Sequence, residues 1–235
     1  MTSVVEVWLY GSHARGIADE QSDTDVLVVA DDRSAAPPKD LLAPFHRVVV
    51  SRYMWNEIFM MHSYGSLFLD HIRREGVRLD GSPKDSRLQG ILNTLPKFTR
   101  ATDDLKAFKS AAAEARLSLA NYGWPDFELK VMAAVARHAA ILGCYCSGQP
   151  NYGRESPFHR IGLLLGYSAT HRRQLASLAT RYRYLELGDE AWLTEAHRGL
   201  DWLRDVQRLL EDLEPVIRGY EVALRAATSR RSRVG

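Results

Sequence analysis

Two short segments carry residue types suited to phosphate and metal chemistry. The first is Tyr10-Gly11-Ser12-His13-Ala14-Arg15-Gly16, and the second is Ser22-Asp23-Thr24-Asp25, running into Val26-Leu27-Val28-Val29. A Gly-Ser turn after a strand leaves backbone N–H groups and a hydroxyl free to meet phosphate oxygens. Glycine lets the backbone come close. Asp23 and Asp25 are one residue apart at the start of the next strand, so their carboxylates share a face. Hard oxygen donors about 6–7 Å apart along a strand suit Mg²⁺ bridged to substrate phosphates. One or two such ions would neutralise charge on the attacking and leaving oxygens of a phosphoryl or nucleotidyl transfer. Arg15 has two readings: a phosphate partner, or a salt bridge to Asp19 or Glu20.

The elements that must hold these residues can be read from the chain. Val4 to Tyr10 and Asp25 to Ala30 read as strands, the second nearly all apolar, as a buried central strand should be. A helical turn is expected at Asp40 to Ala43 and a third strand at Arg47 to Ser51. Helices are expected at Arg52 to Phe59 and Gly65 to Arg74, the second stopped by Glu75-Gly76. Val77 to Leu79 reads as a short strand, closed by Asp80-Gly81-Ser82-Pro83. Residues 1–83 therefore read as a small α+β domain with a mixed sheet and helices.

Beyond Pro83 the pattern turns helical. Helices are expected at Lys84 to Leu95, Asp103 to Asn121, Asp126 to Ser147, Phe158 to Leu165, Thr170 to Tyr182 and Asp189 to Arg225, the last interrupted near Pro215. Residues 84–228 read as an all-α bundle. Residues 229–235 read as a solvated, disordered basic tail.

Bulk properties exclude some classes. The formal charge of +2 over 235 residues is too small for a general nucleic-acid binder. Cys144 and Cys146 are too close for an easy bridge and have no zinc spacing, so free thiols in a reducing cytosol are expected. The N-terminus has no signal-peptide pattern, and no apolar run approaches membrane-spanning length. A cytoplasmic protein with no membrane partner is expected, and a homodimer is left open.

Gly11-Ser12, ten residues, then Asp23-Thr24-Asp25 resembles the signature of the minimal nucleotidyltransferases of the polymerase-β-like superfamily. The segment Leu67 to Gly81 also looks like the end of that domain, so the resemblance covers about residues 4 to 82. It implies an NTP bound through Gly11 and Ser12, with Asp23 and Asp25 as catalytic metal ligands. It also implies in-line attack by an acceptor hydroxyl on the α-phosphate, with loss of pyrophosphate. The family usually carries a third carboxylate on the next strand. Here that strand, Phe45 to Ser51, has no acid, and His46 or Arg47 sits where the aspartate is expected.

The resemblance leaves two functions from different classes. One is a Mg²⁺-dependent nucleotidyltransferase acting on a small molecule such as an antibiotic, a protein tyrosine or an RNA end, the latter two in toxin–antitoxin or phage-defence settings. The other is a degenerate nucleotide-binding sensor or antitoxin-like partner protein. Related antibiotic nucleotidyltransferases take a base from a helical domain, which makes Asp126 and Glu128 the candidates here. Both also suit a helix start. Lys130 and Arg137, on one helix face, are candidate triphosphate contacts by the same resemblance. The bundle resembles HEPN-type bundles more loosely, and Arg154 and His159 match the Arg–His spacing of their ribonuclease members. Pro157 and the preceding Gly153 argue against that use.

Overall fold

The computed structural model describes residues 5–20, 22–122, 125–186 and 199–231 of the chain. Contacts divide the chain into two units, Met1–Thr99 and Arg100–Gly235.

The β-branched runs of the first unit form four strands: β1 (Glu6–Tyr10), β2 (Thr24–Ala30), β3 (Val48–Met54) and β4 (Val77–Arg78). Their order is β3-β2-β1-β4, with β1 antiparallel to β2 and β4, and β2 parallel to β3. The sheet is mixed, as expected. Five helices accompany it: α1 (Gly11–Ala14), α2 (Lys39–Leu42), α3 (Trp55–Ser63), α4 (Leu67–Glu75) and α5 (Arg87–Asn93).

Strand β2 is apolar because both its faces are covered. Val26 and Val28 join Val7 and Leu9 on one side. Leu27 and Val29 join Trp8, Trp55, Ile58, Leu69, Ile72, Leu88 and Leu92 on the other. The second side packs the sheet on α3, α4 and α5. It also explains why β3 outruns its expected end at Ser51. Tyr53 adds to that apolar side, and α3 starts only at Trp55, where the Glu57 carboxylate accepts from the Met54 N–H at 2.8 Å.

The first unit runs to Thr99, past the Pro83 boundary read from the sequence, and one buried carboxylate accounts for much of this. Glu6, 1 % exposed on β1, accepts hydrogen bonds from Trp8 Nε1 (3.2 Å), Ser86 Oγ (2.6 Å) and the Arg87 N–H (2.6 Å). It thereby satisfies the amino end of α5, whose Leu88 and Leu92 complete the core. The Arg87 guanidinium in turn lies 4.5 Å from the Trp55 ring centre. Glu6→Ala leaves several buried donors unpaired and is expected to cost roughly 3 kcal/mol. The check is a chemical denaturation midpoint, which must fall well below that of wild type.

The second unit comprises α6 (Ala101–Tyr122), α7 (Pro125–Cys146), α8 (Ser156–Leu164), α9 (Ala169–Glu186), α10 (Gly199–Asp212) and α11 (Glu214–Arg231). Helix α7 is central and packs on α6, α8, α9, α10 and α11. Gly143 permits this: a methyl there would lie 2.9 Å from Ile161 Cδ1 and overlap the Leu213 side chain. From Phe127 to Cys146 the mean hydropathy is 1.3, enough to cross a membrane by length and composition, but 67 % of that stretch is buried inside the unit. It is the core helix of the bundle. Cys144 and Cys146 are free, and burial pushes their thiols up to about 11 and about 12, so neither is a nucleophile at neutral pH. The break expected near Pro215 falls at Leu213. Helix α11 continues through Arg231, so Ser229 to Arg231 are helical where a disordered tail was expected. Residues 189–198 of the helix expected at Asp189 to Arg225 and residues 232–235 of the expected tail lie outside the described residues.

Candidate active site

The chain leaves β1 at Tyr10 and must reverse at once to feed β2. Gly11 makes the reversal with φ +75°, a left-handed conformation that L side chains rarely adopt. Gly11 to Ala14 form a single helical turn, α1, where the sequence suggested a plain turn. It is closed by the Arg15 N–H on Gly11 O (3.2 Å) and the Ile17 N–H on Ser12 O (3.1 Å). Ser12 stays half-buried at its start.

Register brings Asp25 beside this turn, because Tyr10 and Asp25 are direct partners across β1 and β2. A methyl on Gly11 would overlap Oδ2 of Asp25 and sit 3.3 Å from its carboxyl carbon. Thr24, between the two aspartates, is fully buried and points to the opposite face. Its hydroxyl donates to His46 O (2.8 Å) and its N–H to Arg47 O (3.1 Å). Strand alternation therefore leaves Asp23 and Asp25 on one face, both partly exposed. Just upstream, Ser22 Oγ donates to Asp19 Oδ1 at 2.7 Å, closing the turn that delivers Asp23.

His46 and Arg47 do not occupy the place of a third acid. They belong to the turn before β3, where Arg47 is left-handed at φ 49° and both carbonyls serve Thr24. The residue in register with Asp25 on β3 is Val49, with its side chain about half exposed. The next residue on that side, Ser51, shares a 3.0 Å hydrogen bond with Tyr10 Oη. No carboxylate lies on β3.

Arg15 has a partner the sequence did not point to. Its guanidinium binds Oε2 of Glu75, the last residue of α4. The same oxygen meets His71 Nε2 at 2.9 Å, and the His71 ring stands edge-on to Tyr10 at 5.5 Å. Burial pushes the Glu75 carboxyl up, but His71 and Arg15 outweigh it and hold it below the ordinary glutamate range. Its stabilising contribution is therefore present above that ordinary range and is lost as pH falls through the depressed value. Tyr10, Ser51, His71 and Glu75 escaped the sequence reading, since each is an ordinary strand or helix residue until the fold brings them together.

The candidates in the second unit sit as follows. Glu128 is buried on α7, with one carboxylate oxygen taking the Ser118 hydroxyl of α6 and the other without a partner among the described residues. Lys130 is half-buried and makes no ion pair among the described residues, while Arg137 donates to Tyr152 O at 3.4 Å. Asp126 is in the first turn of α7, but its side chain lies outside the described residues. Arg154 is exposed in the bend before α8 and His159 is half-buried on that helix. His138 is satisfied within its helix by Ala134 O at 2.8 Å.

Among the described residues no three His, Cys, Asp or Glu side chains form a metal cage. The pair Asp23 and Asp25 nonetheless fits a divalent ion whose remaining ligands are substrate phosphates and water. Gly11 leaves room beside this pair: a methyl there would overlap Oδ2 of Asp25.

No curated protein matches this chain. Residues 1–61 match the family model described as a nucleotidyltransferase domain, a span that contains β1, α1, β2, β3 and most of α3. The first unit of this protein carries a nucleotidyltransferase domain, and a helical region follows it.

Proposed function

We propose that the protein is a Mg²⁺-dependent enzyme moving NMP from an NTP to an acceptor hydroxyl. One observation carries this most: the two aspartates share a face and Gly11 is pressed, side-chain-free and left-handed, against the carboxylate of Asp25. The buried Thr24 between the two partly exposed acids specifies which way they point. Asp23 and Asp25 would hold the divalent ion, and Gly11 and Ser12 would meet the triphosphate. The ion supplies charge neutralisation at the phosphates. Arg15 borders the same turn, its guanidinium committed to Glu75.

Acceptor deprotonation needs a base, and β3 offers none. By the resemblance to antibiotic nucleotidyltransferases that take a base from a helical domain, Glu128 and Asp126 of α7 are our candidates for this role. Lys130 is a proposed triphosphate contact. The acceptor classes that suit this chemistry are a small molecule such as an antibiotic, a protein tyrosine and an RNA end. Glu128→Gln is expected to lower transfer by about 10²-fold or more while Mg²⁺·NTP affinity stays within about twofold. Equal loss of affinity would instead make Glu128 a packing residue.

The second reading is a nucleotide-binding sensor without transfer, and Val49 beside Asp25 favours it. Incubation with each α-labelled NTP, Mg²⁺ and a cell extract separates the two. Labelled acceptor and released pyrophosphate, both lost in Asp23→Asn, support the enzyme. Binding without labelling supports the sensor.

A further inference from the structure

Glu75 is costly where it stands. It is in the last turn of α4, the end at which the helix dipole disfavours a carboxylate, and it is largely buried. The same helix handles its other acid differently: Asp70, in the first turn and 1 % exposed, is held by Arg73 and Arg74 of its own sequence. Glu75 instead draws a cation from a segment 60 residues away, Arg15 of the Gly-Ser turn. One oxygen, Oε2, takes both Arg15 and His71. His71 and Phe68 each stand edge-on to the Tyr10 ring, at 5.5 and 5.6 Å, and Tyr10 is the register partner of Asp25. The Tyr10 hydroxyl reaches Ser51 on β3. The chain Arg15–Glu75–His71–Tyr10–Ser51 thus links the residue after α1 with α4, β1 and β3, and its member Tyr10 is in register with Asp25.

We propose that Glu75 is the positioning residue of the nucleotide-binding turn, tying α1 to α4 through Arg15 and holding Tyr10 beside the aspartates through His71. This rests on the nucleotide reading above. Glu75 does not touch the substrate. It fixes the backbone from Gly11 to Gly16 from the α4 side, while the turn's own hydrogen bonds, the His13 ring on Phe45 and Ala14 on the Val7–Val26 cluster hold it from the other. Removing the anchor frees that turn, and a freed turn must be ordered again each time a triphosphate binds.

The test has two readouts. The first is amide hydrogen exchange of wild type, Glu75→Ala and Glu75→Gln without nucleotide. The inference expects faster exchange over residues 11–17 in Glu75→Ala, an intermediate effect in Glu75→Gln, and no change over β2. The second is affinity for Mg²⁺·α,β-methylene ATP, GTP, CTP and UTP in a double-mutant cycle. Glu75→Ala is expected to weaken the preferred nucleotide about tenfold, and to weaken it no further in an Arg15→Ala background. Unchanged exchange over residues 11–17, or losses that simply multiply in the double variant, overturns the positioning role alone. Wild type that binds none of the four nucleotides with Mg²⁺ overturns the nucleotide reading and this inference with it.

Discussion

Gly11→Ala is expected to weaken Mg²⁺·NTP binding by roughly 10–100-fold while leaving the fold in place. Two separate effects add at this position. The backbone sits at φ +75°, which costs an alanine about 1–2 kcal/mol. Its new methyl would also overlap Oδ2 of Asp25, so one of the two must move. Gly11 follows the paired Tyr10 and its carbonyl closes the α1 turn, whereas the Asp25 carboxylate is on a partly exposed side chain. The carboxylate gives way, and a displaced ligand is what the metal feels. Isothermal titration with Mg²⁺·α,β-methylene NTP checks the affinity, and a melting temperature within several degrees of wild type checks that the loss is local. Gly16→Ala is the control: it shares a positive φ of 69°, but nothing lies within 4 Å of the added methyl. It carries the strain without the collision and is expected to bind nearly as well as wild type.

Asp25→Asn is expected to reduce NMP transfer on the order of 10³-fold or more, and Asp23→Asn comparably. Both side chains are partly exposed, and Thr24 keeps its bonds to the His46 and Arg47 carbonyls in either variant. What is lost is negative charge at the ion. The two variants should therefore fold as wild type does, and excess Mn²⁺ is expected to restore Asp25→Asn only slightly. Glu6→Ala should show the converse pattern. It lies in the core beneath α5, and it lowers stability with no direct effect on the aspartates.

The side-by-side placement of the proposed donor-side residues was legible because its determinants are local. Gly11, Ser12, Asp23 and Asp25 lie within one strand-turn-strand span, where strand periodicity and turn chemistry already say which side chains share a face. The strands and most helices came from the same local patterns. Features set by distant partners were not legible. Glu75 looked like a helix stop, and only folding shows that it receives Arg15. Glu6 looked like an ordinary polar strand residue, yet it draws α5 into the first unit and moves the boundary to Thr99. Arg52 to Met54 carry no local signal separating a strand end from a helix start; packing of Tyr53 decided for the strand. The third-acid position was misplaced for a related reason. Sequence counting pointed to His46 or Arg47, but the left-handed turn at Arg47 delays β3 and brings Val49 into register with Asp25.

The central claim is that Gly11, Ser12, Asp23 and Asp25 together hold a metal-bound nucleoside triphosphate. The most direct measurement is equilibrium binding of α,β-methylene NTPs to wild type and Asp25→Asn, each with Mg²⁺ and with EDTA. Saturable binding by wild type that requires Mg²⁺ and is absent from folded Asp25→Asn is the result expected. Binding of equal strength by both proteins, or binding indifferent to Mg²⁺, would contradict it.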